Sequence, residues 1–130
     1  MRLIAGPCQH ESYEKSFDIC KQLYYMCKDL NIDFVFKASF DKANRTSMSG
    51  TRGLGIHQTL QDFGAIKSMF PSVKFLTDVH EIWQVNTIAA DYDDIIDVLQ
   101  IPAFLCRQTD LLLAAANTGL YINVKKKRVT

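Results

Sequence analysis

The residues best suited to chemistry lie in the stretch 36–47, directly after the apolar segment 32–36. The stretch holds three cations, Lys37, Lys42 and Arg45, and four short hydrogen-bonding residues, Ser39, Asn44, Thr46 and Ser47. A cation at the end of a strand gives up water in order to pack there, and an anionic ligand compensates that loss well. The stretch therefore predicts an anion receptor at the end of a strand.

Polar side chains also stand at the ends of the other predicted strands. They are Cys8 after the first, Lys37 in the second, Asp78 after the third, Gln100 in the fourth and Lys125 after the fifth. In a parallel α/β fold these ends meet at one rim, where ligands bind. A single Lys at such an end is more often snorkelling or salt-bridged, but the recurrence on successive strands favours a ligand site.

Apolar periodicity predicts the elements that position these residues. Strands are expected at 3–5, 33–38, 73–77, 95–101 and 121–124, and helices across 17–30, 60–70, 82–89 and 111–115, with a flexible stretch at 49–55. Pro71 ends the second helix and Gly119 closes the fourth. The alternation predicts a parallel α/β arrangement with right-handed crossovers. Two architectures fit this alternation and the chain length: about half of a TIM barrel, and a small open doubly wound sheet. Composition alone favours the open sheet.

Length and composition restrict the class of protein. With 130 residues, 48% hydrophobic and 22% charged, the chain is expected to form one domain, 1–130. A formal net charge of +1 argues against a surface that coats nucleic acid and favours small phosphorylated ligands. With neither a signal-peptide pattern nor a long apolar run, we expect a soluble cytoplasmic protein that does not bind membranes. The four cysteines form no CxxC pair, so reduced thiols are expected, with Cys20 and Cys27 in the core.

Five motifs occur in a fixed order along the chain. They are Ile4-Ala5-Gly6-Pro7-Cys8, the loop 37–47, Thr77-Asp78-Val79-His80-Glu81, the segment 100–110 and Ile122-Asn123-Val124-Lys125-Lys126. Together they closely resemble the 3-deoxy-D-manno-octulosonate 8-phosphate synthase family over nearly the whole chain. The resemblance implies a TIM barrel rather than an open sheet, here reduced to about five strands and four helices. It also implies a transferase that condenses phosphoenolpyruvate with D-arabinose 5-phosphate and water and releases phosphate, a step of lipopolysaccharide core biosynthesis.

The resemblance also assigns site residues by motif position. For phosphoenolpyruvate they are Lys37, Ser39, Lys42, Gln100, Ala103 and Lys125, of which the three lysines are the catalytic candidates. For arabinose 5-phosphate they are Asn44, Arg45, Thr46, Asp78 and Pro102, with Arg107 reaching the sugar phosphate of a neighbouring subunit. The residue types suit these ligands, because converging cations match a carboxylate and a phosphate, and an ionised Asp accepts from a sugar hydroxyl.

Cys8 is the candidate metal ligand. By residue type alone, a single Cys after a strand is usually a small core residue. In the resembled family a Cys at this position marks the class that depends on a divalent metal, whose His, Glu and Asp ligands come from later strands. His10, His57 and His80 are not those ligands, and His80 and Glu81 are expected to form hydrogen bonds near the rim. We therefore expect an incomplete site that binds no metal in this chain alone.

The chain departs from the family after Lys126, where relatives continue Lys-Lys-Gly-Gln-Phe and this sequence reads Lys127-Arg128-Val129-Thr130. We expect a truncated chain with little or no synthase activity on its own. The family forms tetramers, and we expect the truncated chain to self-associate through its unpaired strand edges. Three alternatives stay open: a non-catalytic phosphate-binding or interaction module, a related phosphoenolpyruvate-dependent aldol synthase that uses erythrose 4-phosphate, and a chain with no stable fold. The run 41–45 favours the eight-carbon product.

Overall fold

The computed structural model describes residues 1–40, 51–105 and 108–125, and for residues 51–54 and 104 it describes the backbone alone. The strands are β1 (Arg2–Gln9), β2 (Asp33–Ser39), β3 (Lys74–Asp78), β4 (Val98–Ile101) and β5 (Tyr121–Val124). The helices are α1 (Tyr13–Asp29), α2 (Thr51–Met69), α3 (Ile82–Asp91) and α4 (Thr109–Ala116), with a short 3₁₀ helix at Ala103–Leu105. The strict alternation confirms the predicted α/β class.

The order of the strands decides between the two architectures that composition left open. All neighbouring strands are parallel, and their order in the sheet, β1-β2-β3-β4-β5, equals their order in the chain. A doubly wound sheet reverses its strand order at a switch point, whereas successive β/α units of a TIM barrel follow one another without reversal. The sheet is therefore of the TIM-barrel type, and the composition-based preference for an open doubly wound sheet is wrong. The described residues form an open sheet of this type and not a closed barrel.

One hydrophobic core lies between the sheet and the helices. Apolar residues from all four helices form a single cluster with alternate residues of the strands. At its centre the rings of Phe36, Phe63 and Phe75 lie with centroids 5.1 to 6.2 Å apart in tilted and edge-to-face pairs. Cys20 and Cys27 belong to this core, as predicted, and the thiols of Cys8, Cys20 and Cys27 are free.

Local capping explains where several helices begin and end. The side chain of Ser12 accepts a hydrogen bond from the backbone N–H of Lys15, which starts α1. Glu81 and Gln84 form a capping box at the start of α3. Pro71 follows the end of α2, and Gly119 adopts a φ of 79° in the turn after α4. The predicted roles of Pro71 and Gly119 agree with these positions.

The structure also differs from the predicted boundaries at three places. Strand β1 is longer than predicted and contains Cys8, because the pairing with β2 resumes after an irregularity between Ala5 and Cys8. Helix α2 begins at Thr51, so residues 51–55 are helical and not a flexible stretch. Strand β4 begins only at Val98, because the backbone N–H groups of residues 95 and 96 donate to the carbonyl oxygen of Tyr92 and form a turn.

None of the helices among the described residues combines the length and the apolar character that a membrane span requires.

Candidate functional site

Side chains along a strand alternate between the two faces of the sheet, and this alternation determines which residues can form a site. Phe36 and Ala38 of β2 are fully buried among the helices, so Lys37 and Ser39 point to the opposite side of the sheet. We call this opposite side the open face. It carries Lys37 and Ser39 of β2, Leu76 and Asp78 of β3, Val98 and Gln100 of β4, and Asn123 of β5. The polar members lie toward the carboxyl ends of their strands, where parallel α/β folds bind ligands.

Four polar side chains on the open face form one continuous hydrogen-bonded row, which we call the polar row: Ser39, Asp78, Gln100 and Asn123. Ser39 Oγ donates to Asp78 Oδ2 over 2.9 Å, and Gln100 Nε2 donates to Asp78 Oδ1 over 2.6 Å. Asn123 Nδ2 then donates to Gln100 Oε1 over 2.9 Å. The row crosses four adjacent strands, so each member is held by its neighbours as well as by its own strand.

The polar row joins residues that the motifs had assigned to different substrates. Ser39 and Gln100 were predicted for phosphoenolpyruvate and Asp78 for the sugar phosphate, yet both contact the same carboxylate. Gln100 is only 3% exposed, and a buried amide of this kind needs the partners that it has here. Asn123 was missed as a site residue. The signal available in the sequence was a single amide between the apolar residues Ile122 and Val124.

The remaining described candidates lie near the same edge of the sheet. Lys37 is partly buried, and its ammonium has no hydrogen bond or ion pair among the described residues. Pro102 is buried after β4, and Ala103 begins the 3₁₀ helix. Lys125 is exposed directly after β5, where its backbone N–H donates to the carbonyl oxygen of Ile101. The candidates Lys42, Asn44, Arg45, Thr46 and Arg107 lie outside the described residues.

Cys8 is exposed on β1 and adopts a φ of 67°, a left-handed conformation that is uncommon for residues other than glycine. The sequence placed this residue after the strand, whereas the structure places it within the strand at the irregular pairing with β2. Over residues 1–40, 51–105 and 108–125, no group of three or more His, Cys, Asp or Glu side chains is arranged to hold a metal ion. Cys8 alone supplies one ligand, so the described residues do not form a metal site by themselves.

His80 and Glu81 follow β3 at the rim. The backbone N–H groups of both residues donate to Oε1 of Gln84, and the indole of Trp83 donates to the Glu81 carboxylate. Burial lowers the pKa of His80, although the carboxylates of Asp78 and Glu81 act in the opposite direction. The predicted hydrogen bonding of Glu81 near the rim is therefore confirmed, and His80 takes part through its backbone.

An Asp–His–Ser set lies beside β1 and could be mistaken for a catalytic triad. His10 Nδ1 lies 2.6 Å from Ser16 Oγ, and His10 Nε2 lies 2.8 Å from Asp62 Oδ2. Ser16 is completely buried, so no substrate reaches its hydroxyl. The set therefore connects β1, α1 and α2 and does not act as a nucleophile.

One cavity at the open face lies away from the predicted chemistry. It has a volume of about 370 Å³ and is lined by Arg2, Ile4, Val35, Lys74, Leu76, Val98, Tyr121, Ile122 and Asn123. Arg2, Lys74 and Tyr121 are the first residues of their strands, so the cavity occupies the amino-terminal half of the sheet. Of the residues that line this cavity, Asn123 alone also belongs to the polar row.

The comparison with known proteins identifies the family. The sequence model of the DAHP synthetase I family matches residues 1–129. The chain belongs to the DAHP synthetase I family. Its relatives include proteins from Brucella anthropi, Nitrobacter winogradskyi and Rhizobium meliloti, each named 2-dehydro-3-deoxyphosphooctonate aldolase.

The similarity to these relatives covers almost the whole chain. The Brucella anthropi protein is 52% identical over 124 residues, which is 95% of this chain and 43% of the relative. The corresponding values are 53% over 126 residues for Nitrobacter winogradskyi and 51% over 126 residues for Rhizobium meliloti, in each case 97% of this chain. The chain therefore spans less than half of the length of these relatives. Membership of the DAHP synthetase I family confirms the resemblance and agrees with the barrel-type order of the strands.

Proposed function

We propose that this chain forms part of the substrate site of an enzyme that condenses phosphoenolpyruvate with D-arabinose 5-phosphate and water. The products are the eight-carbon 3-deoxy-D-manno-octulosonate 8-phosphate and inorganic phosphate. The observation that carries the proposal is the identity of more than 50% to relatives named 2-dehydro-3-deoxyphosphooctonate aldolase, over 95% or more of the chain. That name also favours the eight-carbon product over the seven-carbon product of the alternative aldol synthase.

The polar row and Lys37 support this proposal chemically. Lys37 is a partly buried residue whose ammonium has no partner among the described residues, and an anion bound there would supply one. The Asp78 carboxylate is acceptor-only when ionised, so it suits a sugar hydroxyl, while Ser39 and Gln100 hold it in place. In the proposed reaction C3 of phosphoenolpyruvate attacks the aldehyde carbon, water adds at C2, and phosphate leaves. Fixed donors beside these atoms stabilise the charge that moves during the reaction.

The proposal assigns roles to the other motif residues by the family resemblance. Lys42, Lys125 and Ala103 would contact phosphoenolpyruvate, and Asn44, Arg45, Thr46, Pro102 and Arg107 would contact the sugar phosphate. Cys8 would be one ligand of a divalent ion whose remaining ligands lie outside the described residues. We also propose that the reaction is a cytoplasmic step of lipopolysaccharide core biosynthesis, because both substrates are phosphorylated metabolites. We propose a homo-oligomer, because Arg107 would contact the sugar phosphate of a neighbouring subunit.

Ligand binding by the purified chain tests the proposal. Calorimetry is carried out with phosphoenolpyruvate and with arabinose 5-phosphate, on the wild type and on Lys37→Met. We expect Lys37→Met to weaken phosphoenolpyruvate binding at least about ten-fold, because a charge-assisted contact is lost. Lys21→Met is the matched control, because Lys21 is an exposed lysine on α1, and it should bind like the wild type.

The same samples separate the competing functions. Release of phosphate that depends on both substrates supports the synthase, and replacement of arabinose 5-phosphate by erythrose 4-phosphate tests the seven-carbon alternative. Binding of both phosphorylated ligands without phosphate release agrees with a partial synthase site, whereas binding of phosphoenolpyruvate and inorganic phosphate alike, without arabinose 5-phosphate, favours a non-catalytic anion-binding module. A wild type that binds neither phosphorylated ligand contradicts the proposal.

A further inference from the structure

Asn123 occupies the end of the polar row and determines what the row can present to a ligand. Its Nδ2 donates to Gln100 Oε1 over 2.9 Å, and Gln100 Nε2 donates to Asp78 Oδ1 over 2.6 Å. Gln100 contacts Asp78 on one side and Asn123 on the other, and it is 3% exposed. Its amide therefore has two fixed neighbours and little exposure to solvent.

The chemistry of the neighbours fixes the direction of the Gln100 amide. An ionised Asp78 offers acceptors only, so the NH₂ group of Gln100 must face it and the carbonyl oxygen must face Asn123. A donor is then required at residue 123, and the Asn123 amide supplies one. Asp78 sets this orientation, because reversal would place two acceptors against each other there, and Asn123 turns its NH₂ group toward Gln100 Oε1 and so satisfies the buried carbonyl oxygen.

We infer that Asn123 is a positioning residue that holds the Gln100 amide with its NH₂ group toward Asp78, because Asn123 satisfies the Gln100 carbonyl oxygen at the other side. In this orientation one N–H of Gln100 is used by Asp78, and the second has no partner among the described residues and is available as a donor for an anion. A reversed amide would present its carbonyl oxygen instead, which repels a carboxylate or a phosphate. The consequence for phosphoenolpyruvate rests on the proposed function, whereas the orientation of Gln100 does not.

A simpler role for Asn123 is to tie β5 to β4, and two variants distinguish the roles. Asn123→Asp preserves the size of the side chain but replaces the donor by an acceptor, so Gln100 must reverse or lose a bond. The double variant Asp78→Asn with Asn123→Asp exchanges the two partners of Gln100, so both hydrogen bonds of Gln100 can form again in the opposite direction, while Ser39 still donates to the side-chain oxygen of residue 78. A tie between strands is restored by the exchange, but the original orientation of Gln100 is not.

The first measurement needs no ligand and follows the side-chain amide signals of Gln100 by nitrogen-proton NMR. We expect these signals to shift in Asn123→Asp and to stay shifted in the double variant, while the midpoint of urea unfolding falls in the single variant and recovers in the double one. The control is Asn86→Asp, on the exposed part of α3, which should leave the Gln100 signals unchanged. Unchanged Gln100 signals in Asn123→Asp would overturn the inference.

The second measurement is phosphoenolpyruvate binding by calorimetry. We expect a loss of at least about ten-fold in Asn123→Asp that persists in the double variant, because in neither variant is the Gln100 amide held with its NH₂ group toward residue 78. Recovery of affinity in the double variant would show that Asn123 serves only as a tie between strands and would overturn the positioning role. If the wild type itself binds no phosphoenolpyruvate, the proposed function fails, and the NMR measurement still decides the orientation of Gln100.

Discussion

Gly6 of β1 lies directly against the backbone of Lys37 in β2, because a Cβ atom added to Gly6 would stand 1.7 Å from the carbonyl oxygen of Lys37. No side chain fits in that space unless the two strands separate. The close approach lies just before the irregular pairing between Ala5 and Cys8. The same contact therefore joins β1 to the sheet and fixes the backbone that carries the candidate lysine.

The first prediction concerns Gly6→Ala. The added methyl group meets backbone atoms that cannot move aside, so we expect the free energy of unfolding to fall by about 3 kcal/mol, the upper part of the range for overpacked sites. Urea unfolding followed by circular dichroism measures the change. Gly64→Ala is the matched control, because its added Cβ would meet only the end of the Ile95 side chain, at 2.8 Å, and alanine favours the helix. A Gly6→Ala variant as stable as Gly64→Ala would show that β1 does not approach β2 in this way.

The second prediction concerns Asp97, which lies before β4 at the amino-terminal side of the sheet. Its Oδ2 accepts from the backbone N–H of Phe75 over 2.9 Å and from the ammonium of Lys67. Asp97→Ala leaves both donors without this acceptor, and we expect the free energy of unfolding to fall by about 1 to 3 kcal/mol. Adding Lys67→Met should recover part of this loss, because it removes an ammonium that would keep the Ile95 carbonyl oxygen as a partner but lack a carboxylate.

Glu11→Ala provides the control for Asp97→Ala. Glu11 pairs with Lys15, but their side chains are 61% and 67% exposed, whereas those of Asp97 and Lys67 are 31% and 18% exposed. Exposed ion pairs contribute little to stability, so Glu11→Ala should unfold at the same urea concentration as the wild type. Equal losses in the two variants would contradict the argument that burial gives the Asp97 contacts their strength.

The sequence predicted the features that local patterns encode. Continuous apolar runs located all five strands, and the polar residues Lys37, Asp78 and Gln100 stood out because they interrupt such runs. Asn123 interrupts β5 in the same way, but β5 has only four residues, and one polar residue in so short a strand resembles ordinary solvent-facing alternation. Its role became visible only with the hydrogen bond to Gln100.

Other features depend on distant partners and could not be predicted from local patterns. His10 and Asp62 are 52 residues apart in the chain and meet only because the fold brings the residue after β1 close to a residue of α2. The order of the strands is likewise a property of the whole sheet, and for this reason composition alone favoured the wrong architecture. The irregular pairing between Ala5 and Cys8 spans Gly6 and Pro7, whose types are a local signal for such a break, whereas the close approach of Gly6 to the backbone of Lys37 depends on another strand.

The third prediction concerns the reactivity of two thiols. Burial raises the pKa of Cys20 to about 12, so almost no thiolate exists at pH 8, whereas Cys8 is exposed. With iodoacetamide at pH 8, peptide mapping should show rapid modification of Cys8 and protection of Cys20. Both cysteines should react in urea, which serves as the control. Modification of Cys20 as fast as Cys8 in the folded chain would contradict the described core.

The fourth prediction concerns the pH dependence of stability. Burial lowers the pKa of His80 from its ordinary value of 6.5, against the opposing effect of the Asp78 and Glu81 carboxylates. The unfolded chain therefore binds a proton at His80 more readily than the folded chain, and stability is lost as the pH falls from 6.5 through the lowered pKa. In His80→Gln this loss is absent. The unfolding free energy of the wild type minus that of the variant should stay constant between pH 8 and 7 and then decrease toward pH 5. Urea unfolding at each pH measures this difference. An increase of the difference on acidification would show that the effect of the carboxylates on the pKa of His80 outweighs that of burial.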